Sequence, residues 1–232
     1  MGRVKLLKRD KVIASMKLRQ KLSVLALKLL HKTIKKQKKI KIYDKVFILL
    51  PNVFSPRGTF TSSFLARNLG VRKGDYVLDL GTGCGIQAVF AAEKAEKVVA
   101  TDINPQAVKC AKINAKINGV AEKIDVRCGN LFEPVKNEKF DLIIFSPPYL
   151  PGKPKSYLEH AWLCGEKYEM IREFFHYVKK YLKPGGRIRM VYSTIADVSL
   201  LFDILKENRF TWFVVASMKT PLERIFILEI KA

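Results

Sequence analysis

Along this chain of 232 residues, apolar positions repeat now with the period of a helix and now with that of a strand. From Ser15 to about Lys38, leucines recur at Leu18, Leu22, Leu25 and Leu29 among lysines, the spacing of a basic amphipathic helix. Such a helix either rests its leucines on a membrane surface or packs them on the main domain, and packing is the commoner outcome. KVFILLPNVFSPRG then predicts a strand and a loop. TSSFLARNL predicts a short helix with cap candidates between Thr61 and Ser63.

Beyond that point strands and helices alternate. Strands are expected at Tyr76–Leu80, Val98–Asp102, Asp125–Cys128, Phe140–Phe145 and Arg187–Tyr192. Helices are expected at Ile86–Ala95, at Pro105–Asn118 with proline in its first position, at Glu166–Leu182 closed by the turn KPGG, and at Asp197–Asn208. Phe210–Ser217 and Arg224–Lys231 close the chain as two strands around a loop containing Pro221. The pattern predicts an α/β fold: a doubly wound, mostly parallel seven-stranded sheet with an antiparallel C-terminal hairpin and helices on both faces. No internal repeat or low-complexity linker interrupts it.

Composition adds one asymmetry. Hydrophobic residues make up 48%, too many for a disordered chain, and the length suits one domain plus an appendage. Lys and Arg number 43 against 21 Asp and Glu, net +22, and residues 1–45 hold 16 of the basic side chains with only 2 acidic ones, net +14. The chain therefore divides into a basic N-terminal extension, 1–45, and a main domain, 46–232. A basic arm implies a polyanionic neighbour such as RNA, DNA or a ribosome surface, bound in a salt-dependent way. A solvated helix on a heat-adapted protein is the alternative. Cys84, Cys110, Cys128 and Cys164 show no CxxC spacing and do not pair with His31, His160 or His176, so no metal site is expected. LSVLALKLL is short and broken by Lys28, which argues against membrane insertion or a secretory signal and for a cytoplasmic protein.

Two stretches carry candidate chemistry. VLDLGTGCGIQAVFAA sets Gly81, Gly83 and Gly85 between a strand and its helix, where the backbone can turn tightly against a ligand. The spacing is G-x-G-x-G, not the G-x-G-x-x-G of pyrophosphate binders. Asp102 ends the next strand, placed to accept from two ribose hydroxyls at roughly 1.5 to 3 kcal/mol each. In FDLIIFSPPYLPG two prolines stop a strand, so that Ser146, Pro147 and Pro148 form a stiff extended segment before Tyr149.

Through Asp79-Leu80-Gly81-Thr82-Gly83-Cys84-Gly85, Asp102 with Ile103, and Gly129-Asn130-Leu131, the chain from about Val53 to Ile230 resembles the Rossmann-like S-adenosylmethionine-dependent methyltransferases. The resemblance implies S-adenosylmethionine as cofactor, with Asp79 toward its methionine end, Asp102 on the ribose, Ile103 against the adenine and Asn130 at the adenine edge. SPPY is similar to the motif of members that methylate a planar NH2 group, whose lone pair is delocalised. If the Ser146 oxygen and the Pro147 carbonyl accept the NH2 hydrogens, the nitrogen moves toward tetrahedral geometry and its lone pair becomes available. Pro147 and Pro148 would hold that carbonyl in place. Tyr149 would stack on the planar acceptor, worth about 1 to 3 kcal/mol if it is a base.

Two kinds of relative diverge over the acceptor. SPPYLPGKP, AWLCGEK, LKPGGRI and ERIFILEI are similar to the glutamine N-methyltransferases that act on peptide release factors, which usually carry Asn in place of Ser146. LLPNVFSPRGTFTSSFL resembles the ribosomal RNA guanine N2-methyltransferases. Both groups normally carry an acid near positions 58 to 60, where this chain has Gly58, Thr59 and Phe60. The expected acceptor is thus a glutamine amide of a translation protein or an exocyclic amine of RNA. A binding module that keeps the cofactor fold without turnover is a third reading.

Overall fold

The computed structural model describes residues 2–32, 36–56 and 59–232, with side chains from Ser15 onward apart from Lys32. Helix α1 (Gly2–Lys32) precedes a hairpin of β1 (Lys38–Ile42) and β2 (Lys45–Leu49). Next come α2 (Thr61–Ala66), β3 (Tyr76–Leu80), α3 (Ile86–Ala91), β4 (Lys97–Asp102), α4 (Pro105–Ile117) and β5 (Ile124–Cys128). The second half holds β6 (Phe140–Phe145), α5 (Glu169–Tyr177), β7 (Leu182–Ser193), α6 (Val198–Glu207), β8 (Thr211–Lys219) and β9 (Arg224–Lys231).

Seven strands form one sheet in the order β5-β4-β3-β6-β7-β9-β8. The first five run parallel, and β9 inserts antiparallel between β7 and β8. Strands β3 and β6 are apolar almost throughout because helices cover both faces of the sheet. The hairpin, α2, α3 and α4 pack on one face, and α5 and α6 on the other, each over its own buried cluster. Successive strands first step outward from β3 to β4 and β5, then return to β6 on its other side. Leu80 and Phe145, the last residues of β3 and β6, are register partners, so the loops that follow them leave from adjacent points.

Four local expectations are corrected. Helix α1 is described as far as Lys32 and residues 36–38 are not helical, and its leucine stripe faces solvent: Leu18, Leu22, Leu25 and Leu29 are 55–59% exposed. The opposite face docks instead, because its polar groups find partners; Gln20 Nε2 donates to Ile195 O at 3.0 Å and to the Tyr168 hydroxyl at 3.3 Å. Strand β1, KKIKI, was hidden in the basic arm; its lysines point outward while Ile40 and Ile42 pack inward, with the turn made at Tyr43 in a left-handed conformation (φ 55°). KPGG lies within β7, not beyond it. The helix before it ends at Tyr177, and a tight turn at Val178–Tyr181 leads in, with a register shift opposite Phe140 and Leu142. Finally, Thr61 and Ser63 are inside α2, whose N-cap is Phe60 with no side-chain cap.

The hairpin is fixed by two amides on α4. Asn114 accepts from Ile48 N and donates to Ile48 O, and Asn118, one turn on, does the same with Val46. These side chains substitute for a neighbouring strand, so the edge of β2 is buried without orphaned backbone groups. At the opposite end of the sheet from the Leu80 and Phe145 termini, Arg187 donates to Asp75 at 2.7 Å and to Gly70 O at 2.6 Å, with both charged side chains buried. Replacing Arg187 with Met leaves the Asp75 carboxylate uncompensated and is expected to lower the unfolding free energy by about 3–5 kcal/mol in urea titrations. The double variant Arg187→Met with Asp75→Leu should recover a large part of that loss.

Candidate active site

Glycines 81, 83 and 85 all adopt left-handed backbone, with φ of 69°, 57° and 84°, which explains why the loop after β3 needs that residue three times. Gly85 caps α3 and would bring any Cβ to 3.1 Å from Ala111. Beneath the loop, Asp79 accepts from Thr82 Oγ1 at 2.6 Å and from Ala88 N at 3.0 Å. Its burial pushes the carboxyl up to about 7, against the pull of those two donors. Asp79 is therefore a brace for the loop, set behind the cavity wall.

Asp102 closes β4 beside the loop. One carboxylate oxygen accepts from Gly83 N at 2.8 Å and the other from Asn104 N at 2.8 Å, which aims the group while leaving a lone pair on each oxygen. Burial raises its pKa, and the two backbone donors oppose that. Gly129, Asn130 and Leu131 follow β5 and return the chain past Asp102, whose carbonyl accepts from Gly129 N at 3.0 Å.

Past β6, Ser146 and Tyr149 are partly exposed while Pro147 and Pro148 are buried. No hydrogen bond from a described residue reaches Ser146 Oγ or the Pro147 carbonyl. Tyr149 rests edge-on against Tyr192, with ring centroids 5.7 Å apart, and burial drives its hydroxyl pKa upward, helped by the charge of Glu223. A single cavity of about 700 Å³ is lined by Gly81, Thr82, Gly83, Cys84, Asp102, Ile103, Gly129, Asn130, Leu131 and all four residues of Ser146–Tyr149. Asp79 and Gly85 stand just outside it. Left-handed glycines, a carboxylate with free lone pairs and an apolar wall at Ile103 and Leu131 suit an adenosine-bearing cofactor with a charged amino-acid end.

The profile described as methyltransferase small domain matches residues 44–208. A Methanocaldococcus jannaschii protein, provisionally named a protein N5-glutamine methyltransferase, is 37% identical over 187 residues, covering 78% of this chain and 92% of that one. The release factor glutamine methyltransferase of Aquifex aeolicus is 40% identical over 164 residues, 63% of this chain and 57% of that protein. The chain belongs to the methyltransferase small-domain family. Among solved structures, the ribosomal protein L11 methylase of Lactobacillus delbrueckii aligns with a TM-score of 0.56 at 23% identity over 74% of this chain and 79% of that one. A Pyrococcus furiosus methyltransferase aligns at 0.54 and 19% identity, over 91% and 98%. At such identities the likeness carries the fold alone. The protein is an S-adenosylmethionine-dependent methyltransferase.

The far wall of this methyltransferase's cavity is what the sequence did not disclose. Ser23, Ala26, Leu27 and Leu30 of α1 line it, together with Phe54, Trp162, Ile195 and Glu223. His31 locks the helix in place. Its Nδ1 donates to Leu27 O at 2.9 Å, its Nε2 accepts from Ser55 N at 2.9 Å, and its ring stacks on Phe54 at 5.1 Å with Trp162 at 5.2 Å. Lys28 pairs with Glu159 at 2.8 Å. Opposite, Glu223 holds Ser193 Oγ as its donor and has a raised pKa through burial. Of the positions where related enzymes carry an acid, Gly58 lies outside the described residues, while Thr59 and Phe60 join the cavity wall. Only the presence of a lone histidine at the end of the leucine stripe hinted at this wall.

An Nε2 that accepts requires His31 to be neutral, and burial lowers its pKa. As pH falls below the ordinary histidine value of about 6.5, the unfolded chain takes up a proton that the folded chain resists. This contribution to stability is full above that pH and is lost as pH drops toward the lowered folded value. Thermal melts between pH 8 and 5 should show wild type losing more Tm than His31→Gln, whose amide oxygen can still accept from Ser55 N.

Proposed function

We propose that this enzyme transfers a methyl group from S-adenosylmethionine to the side-chain amide nitrogen of a glutamine in a protein of the translation apparatus, such as a peptide release factor. The observation that carries the proposal is the pair of acceptors, Ser146 Oγ and the Pro147 carbonyl, that no described residue engages, on residues lining the same cavity as the glycine loop. An amide NH2 offers two donors and an unreactive, delocalised lone pair. Two fixed acceptors draw on both hydrogens at once, so the nitrogen pyramidalises and its lone pair is freed for an in-line displacement. The chemistry supplied by the cofactor is an electrophilic methyl on a sulfonium. The acceptor loses one proton after transfer, and no strong base is needed for that step.

The cofactor-holding roles fall to Gly81, Thr82, Gly83, Cys84 and Gly85 around its methionine end, braced by Asp79, with Asp102 on the ribose and Ile103, Gly129, Asn130 and Leu131 around the adenine. Pro147 and Pro148 stiffen the acceptor bracket, and Tyr149 stacks on the planar amide. Residues 46–232 carry this chemistry, and the basic extension, 1–45, supplies the far wall and meets the polyanionic surroundings of a translation substrate. The similarity to enzymes named for glutamine and release factors supports the amide over a base. Serine is shorter than the asparagine those enzymes usually carry, so the amide must sit closer to the strand end.

Calorimetric titration with S-adenosylmethionine is expected to give saturable heat, with Asp102→Ala weakening affinity by about tenfold or more through the loss of two charge-assisted bonds. Tyr149→Ala should spare that affinity and lower transfer; equal cofactor loss in both variants contradicts the assigned roles. With labelled cofactor, label should enter a purified peptide release factor at one glutamine and leave RNA unlabelled. Label confined to RNA would overturn the amide reading.

A further inference from the structure

The outer face of α1 is an exposed apolar stripe that the methyl-transfer reading leaves without a task. Leu18, Leu22, Leu25 and Leu29 are spaced by four, three and four residues and are each more than half exposed. At 100° per residue they occupy an arc of about 60°, narrower than the face of about 100° or more with which a helix lies on a globular core. A narrow stripe with this spacing is the seam of a helix pair. One edge of the seam carries Lys17, Lys21 and Lys28, and the other carries Arg19. Lys28 is held by Glu159, while Lys17, Arg19 and Lys21 form no ion pair among the described residues. No acidic residue occurs anywhere between Asp10 and Asp44.

We propose that this seam docks an α-helix of a different protein, one that carries leucine or isoleucine at matching heptad positions and acidic side chains beside them. The spacing selects a helix over a lipid surface. The charge selects a different protein over a second copy, because pairing α1 with itself would set basic side chains against basic side chains along the seam with no acid to relieve them. The docking face is independent of the cleft, since Gln20, Leu27 and His31 hold α1 to the domain from the opposite side.

The test uses the whole protein and a synthetic helix of about three heptads with leucine at a and d and glutamate at e and g. Fluorescence anisotropy should show saturable one-to-one binding that weakens as salt rises. Leu22→Ser with Leu25→Ser should reduce that binding about tenfold or more, with Tm and calorimetric S-adenosylmethionine affinity unchanged because both leucines are solvent-exposed. The same peptide with lysine in place of glutamate should not bind. Failure of the acidic peptide to bind, equal binding of the basic one, or indifference to the leucine replacements would each overturn the proposal. A wild type that is dimeric by light scattering, turned monomeric by the double replacement, would assign the seam to a second copy. Co-sedimentation with phosphatidylglycerol vesicles, lost in the double variant, would assign it to lipid.

Discussion

Parallel strands cannot be joined by a tight turn, so each step from one to the next requires a crossover that covers a face of the sheet. This chain makes such steps on both sides of β3. It winds outward through β4 and β5, crosses back, and lays β6 against the free edge of β3. The loops leaving Leu80 and Phe145 therefore start side by side and depart toward opposite faces, which opens a crevice between them. The cavity is a consequence of that reversal. Gly81 and Gly83 of the first loop and the paired prolines of the second stand on its rim.

The two loops use opposite backbone chemistry for one end. After β3, three left-handed glycines let the main chain approach a ligand more closely than any side chain would permit, and Asp79 holds them from below. After β6, two prolines remove conformational freedom, so a serine oxygen and a carbonyl stay fixed without a partner among the described residues to hold them. Permissive backbone shapes one half of the cavity and restricted backbone the other. Preorganisation of this kind matters most where the reacting group is a poor nucleophile.

The extension reads as charge in the sequence and acts as a wall in the structure. Its lysines suggest a polyanion and its leucines a packed face, yet Gln20 and His31 are what anchor it, to Ile195 and Ser55, through bonds whose partners lie more than twenty residues away. Neither residue is apolar, so periodicity passes over them. Buried polar groups of this sort hold an element in one position because any shift leaves them unpaired. The apolar residues that do mark the helix are the ones left outside.

Strands β3, β6 and β9 were legible to the residue, because a strand covered on both faces reads as a continuous apolar run with clear ends. The glycine loop, Asp102 and SPPY were legible because each imposes a backbone or charge requirement that few residue types meet. Less visible was whatever depends on a partner distant in the chain. Strand β1 exists because β2 pairs with it and the amides of Asn114 and Asn118 hold β2, and KPGG is carried inside β7 as the irregularity between the Phe140–Leu182 and Leu142–Arg187 pairs. The sequence by itself determined the sheet, the glycine loop and the stiff proline segment after β6, since these follow from local propensity and short-range chemistry. Tertiary structure alone decided which face of α1 is buried, what closes the cavity and where Asp79 points, since those depend on which buried polar groups find partners across the fold.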